Sequence, residues 1–149
     1  MTEELSKINP TRAIETFREC NTPGRCLKGG FPALAKMRKE QGESRTRKMV
    51  EMWISDLNDF LNISRKMSPQ QIRQTASMII QEYYYYNLAD INLVFTRAKK
   101  GRYGNLFESL DGMKIFSWFD QYDHERAEAA YSEALREHDR LKSINKETQ

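Results

Sequence analysis

At 149 residues, 39% of them hydrophobic and with a formal net charge of +3, the chain has material for one ordinary core and little beyond it. No apolar run approaches the ~18 residues of a membrane span, and the first five residues are acidic where a secretory leader would be basic and then apolar. A membrane protein and a secreted protein are therefore set aside, and a cytoplasmic location is expected.

In chain order, residues 1–8 read as a flexible tail, residues 9–142 as a single helical domain and residues 143–149 as a second flexible tail. Asn9-Pro10 sets a cap residue before a proline at the first helical position, where its missing N–H leaves no bond unmade. Ala13, Ile14 and Phe17 give that helix an apolar face, and Asn21-Thr22-Pro23-Gly24 stops it near residue 20. A short basic helix is expected over 33–41, with Leu34 and Met37 on one side and Gly42 at its end. Ser44 or Thr46 then opens a helix over 45–62, whose Met49, Trp53, Leu57 and Phe60 recur at helical spacing.

Ser68-Pro69-Gln70-Gln71 has the form of a capping box with proline at N1, and predicts a helix over 69–86. Its last four residues are the tyrosines 83–86. Successive helical positions turn by about 100°, so those rings cannot share one environment. Asn87 caps the next helix, 88–100, with Asp90 at N3. Arg97, Lys99 and Lys100 suit the negative end of its dipole, and Gly101 suits the left-handed position after it. Residues 105–110 read as a short extended segment or a helical turn. Asp111-Gly112 opens the last and longest helix, 112–142, on Met113, Phe116, Phe119 and Tyr122, helped by Ile115 and Trp118, before the sequence turns charged and alanine-rich. The fold class expected is all-α, with about five main helices.

Chemistry is sparse. Cys20 and Cys26 stand outside any metal or redox spacing and read as ordinary thiols. His124 and His138 lie roughly 21 Å apart along one helix at the standard rise, too far to share a metal. Asp120, Asp123 and Glu125 read as surface partners for Arg126 or Lys114. No P-loop and no zinc-protease motif is present, so no catalytic residue, metal or cofactor is expected. Charge is distributed more tellingly. Residues 25–48 hold eight basic side chains against Glu40 and Glu43, a local excess of 8 − 2 = +6. Arg97, Lys99, Lys100 and Arg102 cluster with Tyr103, a set that can neutralise phosphates and stack on a base. The candidate binding residues are therefore Arg45, Arg47, Lys48, Arg97, Lys99, Lys100, Arg102 and Tyr103.

The segment Leu-Ala-Asp-Ile-Asn-Leu-Val-Phe-Thr-Arg-Ala-Lys-Lys-Gly-Arg-Tyr-Gly from residue 88, followed by Leu110-Asp111-Gly112-Met113, Trp118-Phe119 and Glu125-Arg126, resembles a family of uncharacterised proteins of Bacteroidetes and of their phages and mobile elements. The resemblance covers roughly residues 68–138. In plan, several helices with a tyrosine-rich turn, the chain is also similar to small phage replication accessories of the helicase-loader type. The resemblance implies a non-enzymatic adaptor in phage or mobile-element DNA replication, located in the bacterial host cytoplasm. Its implied partners are DNA and a replicative helicase or other replication protein. The rival expectations are a virion or assembly protein that self-associates through its C-terminal helix, and a counter-defence protein that binds a host enzyme.

Overall fold

Four residues named as helix caps act as caps. The side chains of Asn9, Ser68, Asn87 and Asp111 accept hydrogen bonds from the backbone N–H groups of Arg12, Gln71, Asp90 and Lys114. At Ser68 and Asn87 the return bond is also present, from the cap's own N–H to Gln71 Oε1 and Asp90 Oδ2, so both capping boxes are closed. These caps start four of the eight helices among the described residues of the computed structural model. The structure describes residues 2–5, 7–105 and 108–148, the side chains of residues 2, 3 and 148 excepted. In chain order the helices are α1 (Thr2–Leu5), α2 (Pro10–Thr16), α3 (Pro23–Lys28), α4 (Leu34–Gln41), α5 (Glu43–Phe60), α6 (Pro69–Glu82), α7 (Leu88–Lys99) and α8 (Gly112–Thr148). Between them, only two isolated bridges, Ala33 with Asn87 and Arg65 with Ser109, bring backbone together in strand fashion among the described residues. The fold is all-α.

Several boundaries differ from the sequence reading for identifiable reasons. Leu5 and Ile8, expected in a loose tail, are buried in the core. Helix α2 ends at Thr16, earlier than the expected stop near residue 20, with Phe17 as its C-cap, and Thr22 and Pro23 instead start α3: Thr22 accepts from Arg25 N, and Pro23 occupies the first turn. No cap side chain opens α5, because Gly42, at φ 93°, itself forms the junction and Thr46 is buried within the helix. Helix α6 ends at Glu82 rather than running through the tyrosines. Helix α8 continues to Thr148, beyond the expected end at residue 142. The face of α8 is also rotated: Ile115, Trp118, Phe119 and Tyr122 are buried, whereas Met113 is 84% exposed. Of the segment 105–110, residues 106 and 107 lie outside the described residues. Beyond them the backbone is extended enough to pair with Arg65 on both sides, through Arg65 N to Glu108 O and Leu110 N to Arg65 O.

Helix α7 occupies the middle of the assembly, with eight of its twelve residues buried. It runs alongside α5 in the same direction: Trp53 Nε1 donates to Asn92 Oδ1 (3.1 Å), and Lys99 pairs with Asp56 further along. It also packs against α8: Asp90 meets Tyr122 and Arg126, and Phe95 packs on Phe119.

The four tyrosines form the junction of these helices. Tyr83 and Tyr86 are core residues, while Tyr84 and Tyr85 are 53% and 37% exposed. Tyr83 donates to Asp120 (2.7 Å); Tyr85 and Tyr86 both donate to Asp123 (2.6 and 3.1 Å). Asp120 and Asp123 are thus acceptors for tyrosine hydroxyls, and not the partners of Arg126 or Lys114 that spacing along one helix suggested. On the other side of the junction, the carbonyls of Tyr86 and Tyr84 accept from Leu34 N and Ala35 N, which ties down the start of α4.

Burial, reinforced by the neighbouring carboxylates, raises the hydroxyls of Tyr83, Tyr85, Tyr86 and Tyr122 well above the ordinary tyrosine range. In the unfolded chain they ionise near their usual value of about 10. Above that pH the unfolded state releases protons that the folded state retains, so their contribution to stability is complete below about pH 10 and declines as pH rises further. Urea midpoints should therefore hold steady up to about pH 9.5 and then fall, with a shallower fall in the Tyr86→Phe, Tyr122→Phe double variant. An equal alkaline slope in the two proteins would contradict this assignment.

Candidate functional site

The turn that ends α7 places the charged residues of the site. Gly101 N donates to Ala98 O and Arg102 N to Arg97 O, the paired bonds of a Schellman ending. That ending requires a left-handed residue after the cap, and Gly101 supplies it at φ 74° without a Cβ clash. As a result Arg97, Lys100 and Arg102 all gather at one end of α7.

The eight residues singled out in the sequence separate into three groups. Arg97, Lys99 and Arg47 are engaged by carboxylates. Arg97 forms a forked pair with Glu125 of α8 (2.7 and 3.2 Å) and lies over the Tyr122 ring at 5.6 Å. The Glu125 bond holds the Arg97 guanidinium in its charged form even more firmly than usual. Lys99 pairs with Asp56 and lies over Phe60, and Arg47 pairs with Glu51 at 3.3 Å. Tyr103 is packed flat against Trp118, at 6.1 Å and 13° between planes, which occupies one face of the ring proposed for stacking. Burial pushes its hydroxyl above the ordinary range, against the pull of the nearby Arg97.

Lys100, Arg102, Arg45 and Lys48 are exposed, but not as one patch. Lys99 meets α5 at Asp56, eight residues past Lys48 and eleven past Arg45, or roughly 12 and 16 Å along the helix. Lys48 instead borders a depression that also contains Glu51, Asp56 and Asp59. The front cations and the α7 cations are therefore two separate surfaces, and of the α7 set Arg97 and Lys99 are matched by Glu125 and Asp56.

What joins the α7 cations is a residue the sequence reading passed over. Arg18, in the turn after α2, faces Arg97, Lys100 and Arg102 across a cleft of about 440 Å³. Phe17 and Leu93 contribute apolar lining, and Asn21, Asn92 and Thr96 contribute neutral polar groups; no carboxylate lines the cleft. Arg18 does have an acidic neighbour, Glu15, at 3.8 Å. Both side chains are more than 70% exposed, so solvent screens that pair strongly. Ile14 stands at the cleft as well, 70% exposed, although its spacing along α2 suggested a core position. Arg18 lacked a sequence signal because nothing local links it to residues some eighty positions later.

Neither cysteine forms a disulfide. Cys26 is buried, with its thiol pushed up to about 12, chiefly by desolvation. Cys20 is half-buried at the cleft and its thiol is also raised, again mainly by burial. His124 and His138 are exposed. Among the described residues, no three His, Cys, Asp or Glu side chains are grouped to hold a metal ion.

Residues 66–146, more than half of the chain, match the model of a family of unknown function, DUF6633. The chain belongs to the DUF6633 family. No curated protein and no solved structure matches it. The DUF6633 segment contains α6, α7 and most of α8, and with them Arg97, Lys100 and Arg102. Ile14, Phe17 and Arg18 lie before it, so the cleft is assembled from the family segment and from the N-terminal part of the chain.

The engaged and free cations should separate in stability measurements. Arg97→Ala and Lys99→Ala each remove a half-buried charge pair and should lower the urea unfolding free energy by about 1 kcal/mol. Lys100→Ala and Arg102→Ala should stay within about 0.5 kcal/mol of the parent, as surface changes do. Equal losses at all four positions would show that the cluster is uniformly structural.

Proposed function

We propose that the protein is a non-enzymatic accessory of phage or mobile-element DNA replication, a helicase-loader-like adaptor that contacts nucleic acid through the cleft at the end of α7. The observation that carries the nucleic-acid part is the lining itself: four cations from two distant stretches of chain line one concavity without a carboxylate among its lining residues, and of these Arg97 is matched by Glu125 and Arg18 by the exposed Glu15. Lys100 and Arg102 are exposed beside that concavity, and phosphate groups need clustered cations without fixed spacing. The place in replication, in a bacterial host cytoplasm, rests on the resemblance of the segment from residue 88 to proteins of Bacteroidetes and their mobile elements. No described helix is long and apolar enough to cross a membrane, which is consistent with an adaptor that acts away from one.

One observation favours a second reading, an assembly protein that self-associates through α8. Past Glu133 the side chains of α8 are exposed through residue 147, including Leu135, Leu141 and Ile144 at 45%, 48% and 41%. The alternation of charges there, with Glu137 paired to Arg140, is also what a solvated helix shows.

Binding measured against salt distinguishes these readings. Lys100→Ala and Arg102→Ala should each weaken affinity for DNA without regard to sequence, since phosphate contacts carry no base code. Each should reduce the slope of log affinity against log salt by roughly 0.7 to 0.9. Lys99→Ala, whose cation is already held by Asp56, should leave the slope unchanged. Undiminished affinity in the Lys100→Ala, Arg102→Ala double variant would remove the cleft from the proposal. A parent protein that binds no DNA at low salt, yet sediments as an oligomer, would favour assembly.

A further inference from the structure

We infer that the cleft between the turn after α2 and the end of α7 accepts single-stranded nucleic acid, with one base laid against Ile14 and the flanking phosphates on Arg18, Lys100 and Arg102. The inference rests on the cleft being the nucleic-acid site, and it concerns which form of nucleic acid enters.

Three features of the cleft distinguish a single strand from a duplex. The first is shape. A concavity of about 440 Å³ lies within the range of small-ligand pockets, roughly 300–1,000 Å³, and so has room for a group the size of one nucleotide. A duplex keeps its bases stacked and paired inside a convex cylinder and is read by elements that protrude into its grooves. Against this surface it could offer only phosphates.

The second feature is the chemistry of the wall. A site for phosphate alone would be polar throughout. Here Phe17 and Leu93 reach the cleft only at its margin, at 3% and 6% exposure, and the apolar surface it presents is Ile14, 70% of which is in water. On α2 the core is served by Ala13 and Phe17, both buried, so Ile14 makes no comparable contribution to folding. An apolar side chain held in water at the edge of a cationic cleft matches a ligand with a flat apolar body and an anionic backbone, which describes an unpaired nucleotide.

The third feature is the supply of neutral polar groups. Asn21, Asn92 and Thr96 line the same cleft. Asn92 has its orientation fixed from behind, because Trp53 Nε1 donates to its Oδ1 at 3.1 Å. That bond leaves the Asn92 Nδ2 donors, suited to a carbonyl or ring nitrogen on a base edge, and a second lone pair on Oδ1.

The test is fluorescence anisotropy with the full chain and four probes at one low salt concentration. The probes are an oligothymidylate of about twelve nucleotides, the same strand with abasic sites, a duplex of equal length, and inorganic polyphosphate; that length lies within the span of one small single-strand-binding unit. The single strand should bind roughly tenfold more tightly than the other three, the difference one inserted base typically makes. Ile14→Ser should reduce only the single-strand affinity, by roughly fivefold, the scale of one or two buried methylene groups, and Ile14→Met should restore it. Because Ile14 is mostly exposed, these variants leave the fold intact, and a thermal melt would verify that. Equal affinity for all four probes, reduced in each case by Lys100→Ala and Arg102→Ala, would leave the cleft as a phosphate surface and overturn base insertion. The same holds if Ile14→Ser changes nothing. No binding to any probe would remove base insertion and the nucleic-acid reading together.

Discussion

The carboxylate of Asp90 is the group on which the arrangement of this protein depends. It is wholly buried. One oxygen closes the capping box of α7 on Asn87 N and accepts from Arg126 Nε (3.2 Å); the other accepts from Tyr122 Oη at 2.5 Å. A buried charge is tolerated only when its hydrogen-bonding capacity is filled and an opposite charge is near, and here both conditions hold. Removing one member of such a pair typically destabilises a protein by about 3–5 kcal/mol, which is a large share of the roughly 5–15 kcal/mol that holds a domain folded. Arg126 extends the network outward, because it also donates to Tyr85 O and lies over the Tyr85 and Tyr86 rings. Asn87 extends it the other way, with Nδ2 donating to Cys26 O at the end of α3. A single helix cap therefore sets the position of α7 relative to α3, α8 and the tyrosine junction.

That placement has consequences at the opposite end of α7. With its start fixed by Asp90 and its middle held by Trp53, the helix delivers Arg97 to Glu125 and Lys99 to Asp56. Two of its cations are thereby taken up by the fold, and the Schellman turn directs Lys100 and Arg102 toward Arg18. The contribution of sequence to function here is indirect. Charge alone does not mark the cleft, since comparable charge at Arg45 and Lys48 leads to no such concavity. What marks it is which cations remain after the helices have matched their partners.

How much of this was legible beforehand follows from how local each signal is. Caps depend on residues three positions apart, and Asn9, Ser68, Asn87 and Asp111 all act as the sequence suggested. Periodicity was reliable where a helix is flanked on several sides, as along Met49, Trp53 and Leu57. It misled where only one face is covered: Ile14, Phe60 and Met113 fit an apolar stripe, yet all three are exposed. The tyrosine run was ambiguous because its partners, Asp120 and Asp123, lie more than thirty residues away on another helix. The same holds for the pairs that engage Arg97 and Lys99, and for the approach of Arg18. Residues 66–146 place the chain in DUF6633, but the residues that complete the cleft lie before that segment and had to come from the structure.

The central claim is that nucleic acid meets this protein at the end of α7, and not at its basic front or along its projecting C-terminal helix. Backbone amide chemical shifts recorded while the protein is titrated with a short single-stranded oligonucleotide test this most directly. The account predicts that the shifts concentrate at Ile14, Arg18, Asn92, Lys100 and Arg102. Shifts confined to Arg45 and Lys48, or to residues 134–147, would contradict it.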